Sequence, residues 1–175
     1  MTYIVVDVEA DGPCPGIYSM VCFGAVVVKP LLQDTFYGET APLPDSGWDP
    51  AALEISGVTR GQHASFQPPD IAMHAFAAWL ESVRKGKLTF ISDNPAFDWQ
   101  FINYYFWRFV GANPFGFSAR RIGDLYCGMK MHAGKNSEWK KKLRKTAHTH
   151  NPVDDAMGNA EALLAMQKMG LNIKF

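Results

Sequence analysis

The apolar positions change period several times along the chain. Residues 3–8 form a short β-branched run with Pro and Gly soon after, which predicts a strand. Residues 11–16 are dense in turn formers and predict a loop. Residues 20–28 are apolar without alternation, the pattern of a strand buried on both faces. Residues 34–39 predict a third strand that closes a meander. Residues 42–50 carry three prolines and predict a loop, with a short helical piece at 51–55 before Ser56-Gly57. Over 68–83 the spacing of Ile71, Phe76, Ala77, Trp79 and Leu80, started by Pro68 and Pro69, predicts a helix. A strand at 87–91 and an aromatic-rich helix at 97–110 follow. A strand at 117–122 leads to a helix capped by Asp124 and running to about Met131. Residues 132–149 are polar and basic, in part a loop. The last helix spans 152–169, with Ala156, Ala160, Leu163 and Leu164 on one side and Gly170 ending it. Three strands followed by alternating helix and strand predict an α/β fold with a central mixed sheet flanked by helices.

Composition narrows the class. The 175 residues suit one domain, 1–175, with no repeat and no separating linker. Apolar residues make up 47% and charged residues 19%, which is globular rather than disordered. Lys plus Arg, 17, equals Asp plus Glu, 17, so a protein that wraps long duplexes is disfavoured; an enzyme that handles only a strand end needs fewer phosphate contacts. Cys14, Cys22 and Cys127 are odd in number and form no CxxC pair, which argues against a disulfide framework or a zinc knuckle. No apolar run reaches membrane-spanning length, and the N-terminus lacks a signal-peptide pattern. The expectation is a cytoplasmic protein with no membrane partner.

Three segments carry candidate chemistry. In Asp7-Val8-Glu9 the carboxylates stand at i and i+2 of a strand and so share one face. Apolar neighbours raise the cost of their charge, and a hard divalent cation is the natural partner. The ordinary alternative is two solvated carboxylates at a strand end. In Asn94-Pro95-Ala96-Phe97-Asp98 a carboxylate falls in the first turn of a helix, where it can equally serve the helix dipole. In His148-Thr149-His150-Asn151-Pro152-Val153-Asp154-Asp155 a histidine precedes a helix that opens on two carboxylates, with a surface histidine and dipole compensation as the ordinary reading. No GxxxxGK[ST] or GxGxxG is present, which removes nucleotide-binding loops.

Taken in order, Asp7-x-Glu9, Asn94-x-x-Phe97-Asp98 and His150-x-x-x-x-Asp155 resemble the DEDD superfamily of 3′→5′ exonucleases, in the histidine-containing DEDDh subgroup. Phe23-Gly24-Ala25-Val26, Ile55-Ser56-Gly57-Val58-Thr59, Asp124-Leu125 and the stretch from Asn159 to Leu163 resemble the family's lesser landmarks, so the resemblance spans about residues 3–167. Relatives often carry His where this chain has Asp93, which bears on how the loop before Asp98 is anchored. The resemblance implies a ribonuclease H-like fold and a metal-dependent phosphodiester hydrolase that releases nucleoside 5′-monophosphates from a single-stranded 3′ end. It implies two divalent ions, Mg²⁺ or Mn²⁺, held by Asp7, Glu9, Asp98 and Asp155. His150 is then the general base, favoured over His148 by its spacing to Asp155, as Asp155 is over Asp154. It seats the terminal nucleotide at Glu9, Ala10, Asp11 and Gly12, with Asn94 nearby. By location, Phe97 is a candidate to stack on a base, with helix core as the ordinary reading. The basic run 140–145, with Lys142 and Arg144, stands just ahead of His150 and reads either as a contact for upstream phosphates or as a solvated charged face. RNA is weakly favoured over DNA on the resemblance, and a homodimer is left open. The competing reading is a catalytically silent nucleic-acid-binding or protein-interaction module on the same fold; retention of all four carboxylates and the histidine speaks against it.

Overall fold

In the computed structural model, which describes residues 1–134 and 136–174, the first apolar run becomes the central strand, β1 (Thr2–Ala10). It extends past the expected 3–8, so Asp7 and Glu9 both lie inside it. β2 (Met20–Val27) pairs antiparallel with β1, and β3 (Thr35–Glu39) pairs antiparallel with β2. β4 (Leu88–Ser92) and β5 (Ala119–Arg121) add in parallel on the other side of β1, giving the order β3-β2-β1-β4-β5. The sheet is mixed, as the pattern predicts.

Between β3 and β4 lie α1 (Pro50–Ile55), α2 (Arg60–Ala64) and α3 (Pro69–Val83). The apolar pattern does not predict α2, which is a single short helix fixed by a capping box between Thr59 and Gln62. α4 (Pro95–Phe109) begins two residues before the aromatic run that marks it, because Pro95 supplies the first helical position. α5 (Ile122–Lys130) starts ahead of Asp124, so Asp124 sits in its first turn rather than capping it. The basic stretch contains α6 (Glu138–Leu143), and α7 (Pro152–Lys168) closes the chain.

Side-chain parity on β1 divides the core. Ile4, Val6, Val8 and Ala10 pack on one face with residues of α3 and α4, including Phe76, Leu80, Phe101 and Tyr105. Tyr3 and Val5 pack on the other face with Trp139 of α6 and Ala156, Ala160 and Leu163 of α7. Asp7 and Glu9 continue that second row, which brings them to α7. Cys14, Cys22 and Cys127 are all free thiols. No helix among the described residues is long and apolar enough to cross a membrane.

Candidate active site

The site opens where β4 stops. β4 pairs with β1 only from Thr2 to Val5, so the C-terminal half of β1 has no strand neighbour on that side. The Val8 backbone N–H, left out of the ladder, donates instead to Asp98 Oδ1 at 3.1 Å. Asp98 stands in the first turn of α4 and is buried. It therefore reaches the site from the helix layer opposite α7.

α7 approaches closely because Gly24 lies beneath its start. Gly24 pairs with Asp7 in register, and a Cβ on Gly24 would fall 2.3 Å from the Pro152 carbonyl carbon. Without that side chain, Asp155 in the first turn of α7 reaches the row of β1 carboxylates. Oxygens of Asp7, Glu9 and Asp155 lie within 4.8 Å of one another, close enough to share one cation.

Electrostatics points the same way. Burial, then the neighbouring charges of Asp98, Asp155 and Glu9, holds the Asp7 carboxyl well above its usual range, with Arg144 opposing. Burial and Asp155 push Glu9 up to about 7, and burial pushes Asp98 up to about 7. Three carboxyls that resist ionisation together are relieved by a hard cation among them. All the ligand atoms are oxygens, the donor set that magnesium and manganese take.

Asp155 is tightly held. Its Oδ1 accepts from Arg144 Nη2 at 2.9 Å and lies 2.7 Å from His148 Nδ1. Its Oδ2 accepts from the His150 backbone N–H at 3.1 Å. His150 occupies the left-handed region, φ 59°, sparsely populated by residues other than glycine. Its Nδ1 lies 3.5 Å from Glu9 Oε1, and the ring centroid is 4.4 Å from that of His148. Both imidazoles are about half exposed. His148 and His150 thus stand together at the mouth of the carboxylate cluster.

The other residues singled out in the sequence fall around this centre. Asp154 is bonded by the Thr149 hydroxyl and stays outside the cluster. Ala10 and Gly12 are buried, with the Tyr18 ring packed against Gly12. The Asp11 carboxylate is fully buried and turned away from the cluster; it accepts from the Ser19 backbone N–H and from Arg60 Nη1 and lies 3.5 Å from His63 Nδ1. Its role is to pin the loop after β1 onto α2. Asn94 caps α4 at the rim, and Phe97 packs on Phe101. Lys142 pairs with Glu138 on the exposed side of α6. Asp93 makes an ion pair with Lys140 and so ties the β4–α4 turn to α6. The Arg60–Asp11–His63 anchor has no local motif and could not be read from the sequence, since its members are 49 and 52 residues apart along the chain from Asp11.

A mixed sheet with its carboxylates at the end of the central strand defines a ribonuclease H-like nuclease fold. No family model matches the chain. It is 37% identical over 176 residues to the 3′-5′ DNA exonuclease Cap18 of Escherichia coli, covering 95% of this chain and 92% of that one. The nuclease domain of 3′hExo, a DEDDh family member solved with rAMP, superposes with a TM-score of 0.79 at 16% identity over 99% of this chain and 94% of the other. E. coli Exonuclease I in complex with a dT13 oligonucleotide gives a TM-score of 0.65 at 17% identity, over 97% of this chain and 41% of the other. The chain belongs to the DEDDh family of 3′→5′ exonucleases.

Proposed function

We propose that this protein removes nucleotides one at a time from the 3′ end of single-stranded DNA, releasing nucleoside 5′-monophosphates. The observation that carries the reading is the convergence of Asp7, Glu9 and Asp155, with Asp98 beneath them and His150 against Glu9. The sequence resemblance by itself weakly favours RNA. DNA is preferred here because the relative with 37% identity is a DNA exonuclease.

Asp7, Glu9, Asp98 and Asp155 would hold two divalent ions, Mg²⁺ or Mn²⁺. Ions held there supply electrostatic stabilisation of the developing phosphate charge and help to ionise the attacking water. His150 takes the proton of that water. An imidazole can accept and pass on a proton near neutral pH, and the backbone of His150 is anchored to Asp155 while its ring remains half exposed beside Glu9. The water oxygen bonds to phosphorus, and the bond to the 3′ oxygen of the preceding nucleotide breaks; that oxygen leaves with a proton as the new 3′-hydroxyl. Glu9 also accepts from the terminal 3′-hydroxyl, and the buried backbone of Ala10 to Gly12, pinned by Asp11, shapes the seat of the last nucleotide. Asn94 and Phe97 border that seat from α4.

A competition experiment tests the substrate. Equal amounts of labelled single-stranded DNA and RNA of one sequence are digested together, and the released nucleotides are separated. Preferential appearance of deoxynucleoside 5′-monophosphates is expected. Ribonucleotides released first, or nucleoside 3′-monophosphates as products, would overturn the proposal.

A further inference from the structure

Two histidines, not one, face the reaction centre. His148 and His150 lie two residues apart on the segment leading into α7. Their ring centroids are 4.4 Å apart, with the ring planes at 58°. His148 Nδ1 lies 2.7 Å from Asp155 Oδ1. One nitrogen of each ring and one oxygen of Asp155 all lie within 4.8 Å of one another. Both rings are about half exposed, so an ion reaches them from solvent. The reaction proposed above uses His150 and leaves His148 without a part.

The chemistry of this group differs from that of the carboxylate cluster. Asp7, Glu9 and Asp155 offer oxygen alone, the donor that Mg²⁺ takes. Two imidazoles and a carboxylate instead suit Zn²⁺ and its neighbours in the first transition row, against which Mg²⁺ competes poorly for nitrogen. Three protein donors leave a fourth position open, and Glu9 stands beside it, with Oε1 3.5 Å from His150 Nδ1. Asp155 is already fixed by other bonds. Its Oδ1 accepts from Arg144 Nη2 at 2.9 Å, and its Oδ2 accepts from the His150 backbone N–H at 3.1 Å. Outer bonds of this kind orient a ligating carboxylate before the ion arrives.

We infer that His148, His150 and Asp155 form a second metal site, for Zn²⁺ or a similar transition-metal ion, whose occupation shuts off the exonuclease. The metal site stands on its own geometry; the inhibition rests on the exonuclease reading above. A neutral imidazole bound to a metal through one nitrogen carries its proton on the other. Neither nitrogen of a metal-bound His150 then accepts the proton of the attacking water. Asp155 belongs to both ligand groups, so the ion also draws on a carboxylate of the magnesium centre. His148 belongs to the second group alone and is the residue that separates the two sites.

The test uses the wild-type protein, His148→Ala and a His74→Ala control on the exposed side of α3. Binding of Zn²⁺ is measured by equilibrium dialysis in a fixed excess of Mg²⁺, which competes for the carboxylates. Wild type and His74→Ala are expected to bind a single Zn²⁺. His148→Ala should bind it at least about tenfold more weakly, since even the loss of an outer partner of a metal ligand costs that much. In a parallel titration Co²⁺ stands in for Zn²⁺; an intense visible absorption, the mark of four-coordinate ligation, is expected from wild type and not from His148→Ala. Rates on a single-stranded oligonucleotide are then taken relative to each protein's own rate in Mg²⁺ alone. The Zn²⁺ concentration that halves the rate should rise about tenfold or more in His148→Ala. Zinc bound equally by wild type and His148→Ala, or equal inhibition of both, would overturn the site, because the ion would then be displacing Mg²⁺ at the carboxylates. Zinc bound through His148 that leaves the rate unchanged or raises it would overturn the inhibition. Zinc bound through His148 by a wild type that hydrolyses nothing in Mg²⁺ leaves the metal site standing and defeats the exonuclease reading instead.

Discussion

Without a cation, Asp7, Glu9 and Asp98 are costly to the folded chain. Their folded pKa values lie above the ordinary carboxylate range, Glu9 and Asp98 at about 7. A raised carboxylate pKa means that the fold prefers the protonated form. The penalty is therefore full above about pH 7 and is relieved as pH falls toward the ordinary range. In EDTA the protein should melt higher at about pH 5.5 than at about pH 8, and Mg²⁺ should raise Tm more at the higher pH. Thermal melts at both pH values check this; a Tm at pH 8 indifferent to Mg²⁺ and Mn²⁺ would contradict it. The two histidines separate by function. His150→Ala should lower kcat by about 10²–10⁴-fold with KM little changed, whereas His148→Ala should cost far less, and steady-state kinetics on one oligonucleotide compares them. The Asp7–Glu9 pair was legible in the sequence because strand parity alone puts both on one face. The grip of Arg144 and His148 on Asp155 was not, because it depends on how the chain folds back between α6 and α7.

At the level of elements, two glycines set the distances that chemistry needs. Gly24 lets the start of α7 rest on β2, and Gly158 lets Arg144 rest on α7. Gly24→Ala should cost about 1–3 kcal/mol through overpacking against backbone. Calorimetry should read that as a fall in Tm of roughly 2–4 °C for each kcal/mol. The same variant should bind Mg²⁺ more weakly, since Asp155 is moved away from Asp7; a variant as stable and as metal-responsive as wild type would show that the contact is unimportant. The long elements were legible because their patterns are strong: the continuous run of β2, the apolar stripe of α3 and the small-residue side of α7. The weak ones were not. α2 exists through its capping box, β5 keeps only three ladder residues, and α6 is a single basic turn-and-a-half whose one buried anchor is Trp139. None of these has enough periodic positions to stand out from its neighbours.

Across the whole molecule, opposite charges are gathered rather than mixed. The net charge is zero, yet carboxylates line the reaction centre and lysines line a cavity beside it. Zero net charge fits a protein that grips a few phosphates at a strand end. Helices from both halves of the sequence pack on one sheet, so we propose that residues 1–175 unfold as one domain. A single melting transition, shared by far-UV circular dichroism and tryptophan fluorescence, is expected; two separated transitions would contradict it. The most direct test of the whole reading is digestion of a 5′-labelled single-stranded oligonucleotide, with Mg²⁺, with Mn²⁺ and with EDTA, beside an Asp7→Ala variant. The structure predicts a ladder that shortens from the 3′ end and vanishes with EDTA and in the variant. A ladder that persists in EDTA or in Asp7→Ala, or no digestion under any metal condition, would contradict it.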